Sequence, residues 1–198
     1  MPARPLAGLC SASTAQALSG LPAMLDKSCV TDQRANDMEG LTYDLPVAET
    51  PLHLAGAISA HLVVGSRSPD GIVVVRVEDV APDGAVIQLS SGVQRLSLRE
   101  LDQAESVVRD GMIVRPWHPF TRESQAPMPI DQPVEVEVEV FPTGAVIQPG
   151  HRPRLAIQNS DFPHVLGDPH RLLESSDLDI HHGPQRPSWI AIPVRTSG

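Results

Sequence analysis

Ser160, Asp161 and His164 stand close together and are the residue types that make a hydrolytic triad: a hydroxyl nucleophile, a carboxylate and an imidazole base. They follow a strand-like run, and the reading expected of them is polar turn residues. The sequence Gly-x-Ser-x-Gly, which seats a nucleophile on a tight strand-to-helix turn, occurs nowhere in the chain, and the alternating strand–helix pattern needed to support it is also missing. No residue is therefore assigned a catalytic role.

Metal chemistry has candidates too. His164, His170, His181 and His182 are interspersed with Asp161, Asp168, Asp177 and Asp179. Their spacings fit no familiar ligand pattern, and adjacent His181 and His182 cannot easily turn to one ion from a strand, so solvated loop residues are expected. Asp70-Gly71 and Asp83-Gly84 contain oxygen ligands of the kind calcium takes, but each pair is also what a tight turn requires, and the turn reading is preferred. Glu135, Glu137 and Glu139 alternate along one run; three like charges on one strand face are expected to be a solvated face rather than an acid–base pair. No metal and no other cofactor is expected.

These residues sit among short elements. With 20 prolines and 14 glycines in 198 residues, the chain is interrupted too often for long helices, which points to an all-β protein. Met1 to about Gly40 lacks sustained periodicity, apart from a short helix suggested over Thr14 to Leu18, and is read as a linker or lead-in; 41–198 is read as the folded domain. Leu52 to Ser66 alternates around Gly56, as two short strands or one bent strand would. Ile72–Val80 and Ala85–Leu89 flank Pro82-Asp83-Gly84 as a hairpin. Ser91-Gly92 is expected to turn the chain into Val93–Leu98. Val134 to Val140 alternates strictly, with four valines on one face. Phe141 to Gly144 is expected to be a turn, Arg152 to Gln158 the next strand, and Ser188 to Val194 the last. The whole predicts a two-sheet sandwich of jelly-roll type, galactose-binding-domain-like, with an irregular lead-in.

Composition narrows the partners. The net charge is −9 and the basic residues, 14 Arg with Lys27, are scattered, so a nucleic-acid surface is not expected. No apolar run approaches the ~20 residues needed to cross a bilayer, and no membrane association is expected. Polar and proline residues break any signal-like stretch near the start, which slightly favours the cytoplasm. Cys10 and Cys29 permit one bridge without defining one. The few aromatics do not favour a sugar-binding module.

The order of several motifs resembles one family. Leu41-Thr-Tyr-Asp-Leu-Pro46, Asp79-Val-Ala-Pro-Asp-Gly84, Gly92-Val-Gln-Arg-Leu-Ser-Leu-Arg99, Arg115-Pro-Trp-His-Pro-Phe-Thr-Arg122, Pro149-Gly-His-Arg-Pro-Arg-Leu155 and His182-Gly-Pro-Gln-Arg-Pro-Ser188 resemble the carboxy-terminal domain of Xaa-Pro dipeptidyl-peptidase and cocaine-esterase (CocE/NonD) serine hydrolases. Pro153 departs from the pattern, where an aliphatic residue is usual, and suggests the start or edge of its strand. The resemblance implies an α/β-hydrolase domain, absent from this chain, that carries the Ser, Asp and His and acts on acyl esters or Xaa-Pro peptides; none of those positions maps here. The long irregular stretch from Arg99 to Pro133, with Trp117, His118 and Phe120, is expected either to contact that partner, since such segments with aromatic and Arg residues anchor interfaces, or to be a proline-rich loop folded on its own sandwich. Self-association into a homo-oligomer stays open, as does the alternative of a free-standing β-sandwich binding or assembly module.

Overall fold

A computed structural model describes residues 1, 2, 4, 8, 11, 31–130, 132–165 and 177–195. Cys10, Cys29, the suggested Thr14–Leu18 helix, Asp168 and His170 lie outside the described residues.

Strand β1 (Leu41–Asp44), β3 (Ile72–Val80), β4 (Val86–Arg95) and β8 (Arg152–Gln158) form a four-stranded antiparallel sheet in the order β1-β8-β3-β4. The second sheet is built on β2 (Leu52–Ser66), the longest strand. Its one side carries β7 (Val134–Ile147); along the other lie, in turn, β9 (Leu178–His181), β10 (Trp189–Ala191) and β11 (Val194–Arg195), all antiparallel to it. A small hairpin of β5 (Val107–Arg109) and β6 (Met112–Arg115) forms a separate two-stranded sheet.

The sheets face one another across a core of branched aliphatics. Ile58, Ala60, Leu62 and Val64 of β2 and Val136, Val138 and Val140 of β7 meet Val73, Val75 and Val77 of β3 and Leu155 and Ile157 of β8. The alternation that faces these valines inward is the one legible in the sequence, and each fully buried valine contributes roughly 1.5–3 kcal/mol. The chain is thus all-β with two stacked antiparallel sheets, and among the described residues no helix is long and apolar enough to cross a membrane.

Three local readings are corrected. Phe141 to Gly144 does not turn: β7 runs through it and stays paired with β2. Phe141 and Pro142 stand opposite Ala57 as a bulge, which accommodates a proline that has no N–H to give the ladder, and Gly56 across from it takes φ +136°, open chiefly to glycine. Ser91-Gly92 does not turn either; β4 passes straight through. The Arg99–Pro133 stretch is not wholly irregular, because Asp110 and Gly111, at φ 51° and 77°, close the β5–β6 hairpin as residues tolerant of positive φ do. Pro153 lies second in β8, near the strand's start.

The lead-in is partly anchored. Gln33, Asn36 and Asp37 are buried, the last two in a one-turn helix, α1 (Arg34–Asp37), and the Gln33 N–H donates to the Val86 carbonyl at 2.9 Å. They cover the outer face of the four-stranded sheet.

Candidate functional site

Among the described residues, three clusters of chemistry-bearing side chains stand out. The first lies on the outer face of the four-stranded sheet, where β3 interrupts its valines with Arg76 and Glu78, both fully buried. Arg76 donates from Nη2 to Asp161 Oδ1 at 2.7 Å and from Nη1 to Gln158 Oε1. Gln158 donates in turn to the Asn36 carbonyl at 2.6 Å, while Arg154 bridges Asp37 at 2.8 Å and Asp44 at 2.5 Å. A buried guanidinium needs such partners, since its desolvation costs several kcal/mol. Burial first, and then the neighbouring Asp37 carboxylate, push the Glu78 carboxyl up to about 8 against the pull of Arg76 and Arg154. Both Glu78 oxygens and Asp37 Oδ1 lack a donor when each carboxyl is ionised. A proton on Glu78 supplies the donor that this pair needs.

Here too lie the residues of the triad reading. Asp161 Oδ2 accepts from His164 Nδ1 at 3.1 Å, so the structure does bring carboxylate and imidazole together. The hydroxyl found on Asp161 is that of Ser11, 3.5 Å from Oδ1, the same oxygen that Arg76 engages. Asp161 is the counter-ion of a buried arginine, and Ser160 is buried.

The second cluster is the Arg99–Pro133 segment, which lies over the outer face of the five-stranded sheet. Ser59 of β2 donates to the Ile113 carbonyl at 2.6 Å. Arg99 ties the segment's ends by donating to the carbonyls of Leu96 and Ala126 at 2.9 and 2.8 Å, and Met128 is buried in the core. The three residues expected at an interface divide. His118 is buried, its ring nitrogens 2.8 Å from the Glu100 carbonyl and 3.0 Å from the Glu137 carbonyl, and it pins the segment to β7. Trp117 and Phe120 are 48% and 58% exposed. Phe120 sits at φ 52°, where a bulky side chain is held at a cost of roughly 1–3 kcal/mol, with its ring 5.5 Å from that of His118.

The third cluster was not foreseen. Of the glutamate row, Glu135 and Glu139 are exposed, but Glu137 is buried and accepts from Nδ1 of His61, its cross-strand neighbour, at 2.6 Å. The expectation of three solvated carboxylates fails at its middle member. The imidazole stacks on Trp189 at 5.2 Å and 10° between planes. The hydrogen bond to Glu137 holds His61 above the usual histidine range although burial opposes it. Nothing in local sequence marks the pair, since the β2–β7 register alone makes them neighbours.

The turn reading holds for Asp83-Gly84, where Gly84 takes φ +85° and donates its N–H to the Ala81 carbonyl at 2.9 Å; Asp70 and Gly71 follow the bend at 67–69 and are not themselves in a turn. Asp70 accepts from the Gly71 and Ser97 N–H groups at 2.8 and 3.0 Å and from Arg95 at 2.7 Å, while Asp83 accepts from the Ala85 N–H at 3.0 Å. Burial opposes ionisation of Asp70, and these bonds outweigh it, so its carboxyl lies below the usual range. Among the described residues, no three His, Cys, Asp or Glu side chains converge as metal ligands would.

Residues 4–191 match the family model of the X-Pro dipeptidyl-peptidase C-terminal non-catalytic domain. The chain is 32% identical over 136 residues to a Mycobacterium bovis protein named as a serine esterase, covering 69% of this chain and 21% of that protein. It is 27% identical over 164 residues to the cocaine esterase of a Rhodococcus species, covering 78% and 25%. A Staphylococcus aureus CocE/NonD family hydrolase superposes with a TM-score of 0.66 at 21% identity, covering 83% of this chain and 32% of that one. The chain therefore spans between about a fifth and a quarter of the length of these two curated relatives.

Proposed function

Because the chain belongs to the family of X-Pro dipeptidyl-peptidase C-terminal non-catalytic domains, we propose that it serves a serine hydrolase by packing against an α/β-hydrolase domain and forming part of the wall of its substrate cleft. The observation that carries this reading is the Trp117–Phe120 stretch. Two large aromatic side chains are held out to solvent by a backbone that is itself pinned through buried His118, and Phe120 keeps a costly conformation to stay there. Apolar anchors presented rigidly are what an interface uses, because little ordering remains to be done on binding. The covalent acyl-enzyme chemistry belongs to the partner, with esters of carboxylic acids or Xaa-Pro peptides as its substrate class.

The test is association with a separately produced α/β-hydrolase domain. Trp117→Ala and Phe120→Ala are each expected to weaken it by at least about tenfold, the effect of losing an interface anchor. Unchanged affinity in both variants would overturn the proposed contact. The isolated chain should remain unlabelled by a fluorophosphonate and inactive on acyl esters and Xaa-Pro anilides; stoichiometric labelling with turnover would mean that it carries a nucleophile of its own.

A further inference from the structure

Beside the His61–Glu137 pair lies a pocket of about 280 Å³, close to the lower end of the ~300–1,000 Å³ usual for small-molecule sites. It opens between β2 and β7 on one side and the loop between β9 and β10 on the other. His61, Glu135, Gln185 and Arg186 supply its polar lining, and Val63, Pro133 and Pro187 its apolar lining.

The polar groups are arranged by sign. His61 donates from Nδ1 to Glu137, whose carboxylate favours the imidazolium; in that form Nε2 is a second N–H donor, and the Trp189 stack fixes the ring plane. Its side chain is only 13% exposed, so the ring is set by the protein before any ligand arrives. Arg186 follows a turn closed by its own N–H to the Gly183 carbonyl at 3.0 Å, and its guanidinium has no ion-pair partner among the described residues. Glu135 lies across the β-ladder from Val63 and likewise has no ion-pair partner there. Two donors suited to a carboxylate, one carboxylate suited to an ammonium, and an apolar remainder thus border one small space.

We propose that this pocket binds a free α-amino acid with an apolar side chain. Arg186 and His61 take its carboxylate, Glu135 takes its ammonium, and Val63, Pro133 and Pro187 receive the side chain. A simple anion would leave Glu135 as a repelling neighbour, and a simple amine would face Arg186; the zwitterion answers both. The site is independent of the Trp117–Phe120 contact.

Calorimetric or NMR titration of the 198-residue chain with L-leucine, N-acetyl-L-leucine and L-leucinamide tests the assignment. L-Leucine is expected to bind one-to-one with Kd on the order of 1 mM or tighter, and each derivative at least about tenfold more weakly, because each removes one charge. Arg186→Gln is expected to bring L-leucine down to the affinity of the amide, and Glu135→Gln down to that of the N-acetyl compound. Both replace exposed side chains, so thermal melts should match the parent. Absence of saturable L-leucine binding, equal binding of either derivative, or unchanged affinity in Arg186→Gln would each overturn the proposal.

Discussion

Arg76 has no access to water, and its charge is matched by Asp161 rather than solvated. Truncating one member of such a pair strands the other, so Arg76→Ala is expected to lower stability by about 3–5 kcal/mol in urea unfolding, whereas the Arg76→Met, Asp161→Leu double variant should recover a good part of it. A single variant within about 1 kcal/mol of the parent would show that the pair is not buried. Glu78 gives the same layer a pH dependence. Its carboxyl titrates near 8 folded and near 4.5 in an ordinary environment. The folded state therefore holds a proton that the unfolded state releases first; the stabilisation is complete below about 4.5 and is lost as pH rises towards 8. His61, also raised, acts in the same direction at higher pH, so the contribution of Glu78 is read as a difference. Glu78→Gln is expected to flatten the fall in stability between pH 5 and pH 8, by an amount on the order of 3–5 kcal/mol at the alkaline end. Parallel pH profiles for variant and parent would contradict a protonated Glu78. One signal for this layer stood in the sequence, an arginine and a glutamate inside a run of valines; their partners Asp37 and Asp161 are remote in the chain and no local pattern ties them to β3.

At the scale of elements, periodicity was legible where one strand face meets the core and misleading where glycine and proline had a tertiary purpose. The β3–β4 hairpin, the bent β2 and the alternating part of β7 follow from their residues. Ser91-Gly92 reads locally as a turn, yet Gly92 is there because β4 crosses β7: a Cβ on it would lie 2.0 Å from the Glu139 carbonyl oxygen. Ser90 donates to the Phe141 carbonyl at 2.6 Å beside this crossing and helps join the two sheets. The same logic hides Phe141-Pro142, a turn signal by composition and a bulge by pairing. Since backbone cannot retreat as a flexible side chain can, Gly92→Ala is expected to cost roughly 2–3 kcal/mol or more in denaturant unfolding. Gly84→Ala is the control for glycine's own backbone effect, because at φ +85° it strains a turn but meets nothing within 4 Å. If Gly92→Ala proves no worse than Gly84→Ala, the close crossing of β4 and β7 is wrong.

Each outer face of the sandwich carries a partial covering, one made by the described amino-terminal residues and the other by Arg99–Pro133. The two coverings differ in kind. The second presents exposed aromatics, as a surface that awaits a partner does; the first closes over charge. Asn36 accepts from Gln158 and from the Gly8 N–H at 3.1 Å, Asp37 takes Arg154, and Ser11 reaches Asp161. Read as sequence, Met1 to Gly40 looks like a linker because its described residues hold on mainly through single polar contacts to distant strands, beside the paired backbone hydrogen bonds of Met1 with Leu178, and such contacts leave no periodicity. If that grip is part of the fold, a chain beginning at Leu41 uncovers Arg76, Glu78 and Gln158 at once. Its thermal midpoint should then fall by at least about 10 °C, the equivalent of a few kcal/mol in a domain of this size. Salt should restore little of the loss, because burial of the layer, rather than long-range attraction, is what has gone. A shortened chain that melts with the 198-residue one would instead make residues 41–198 a folding unit that does not need the preceding segment.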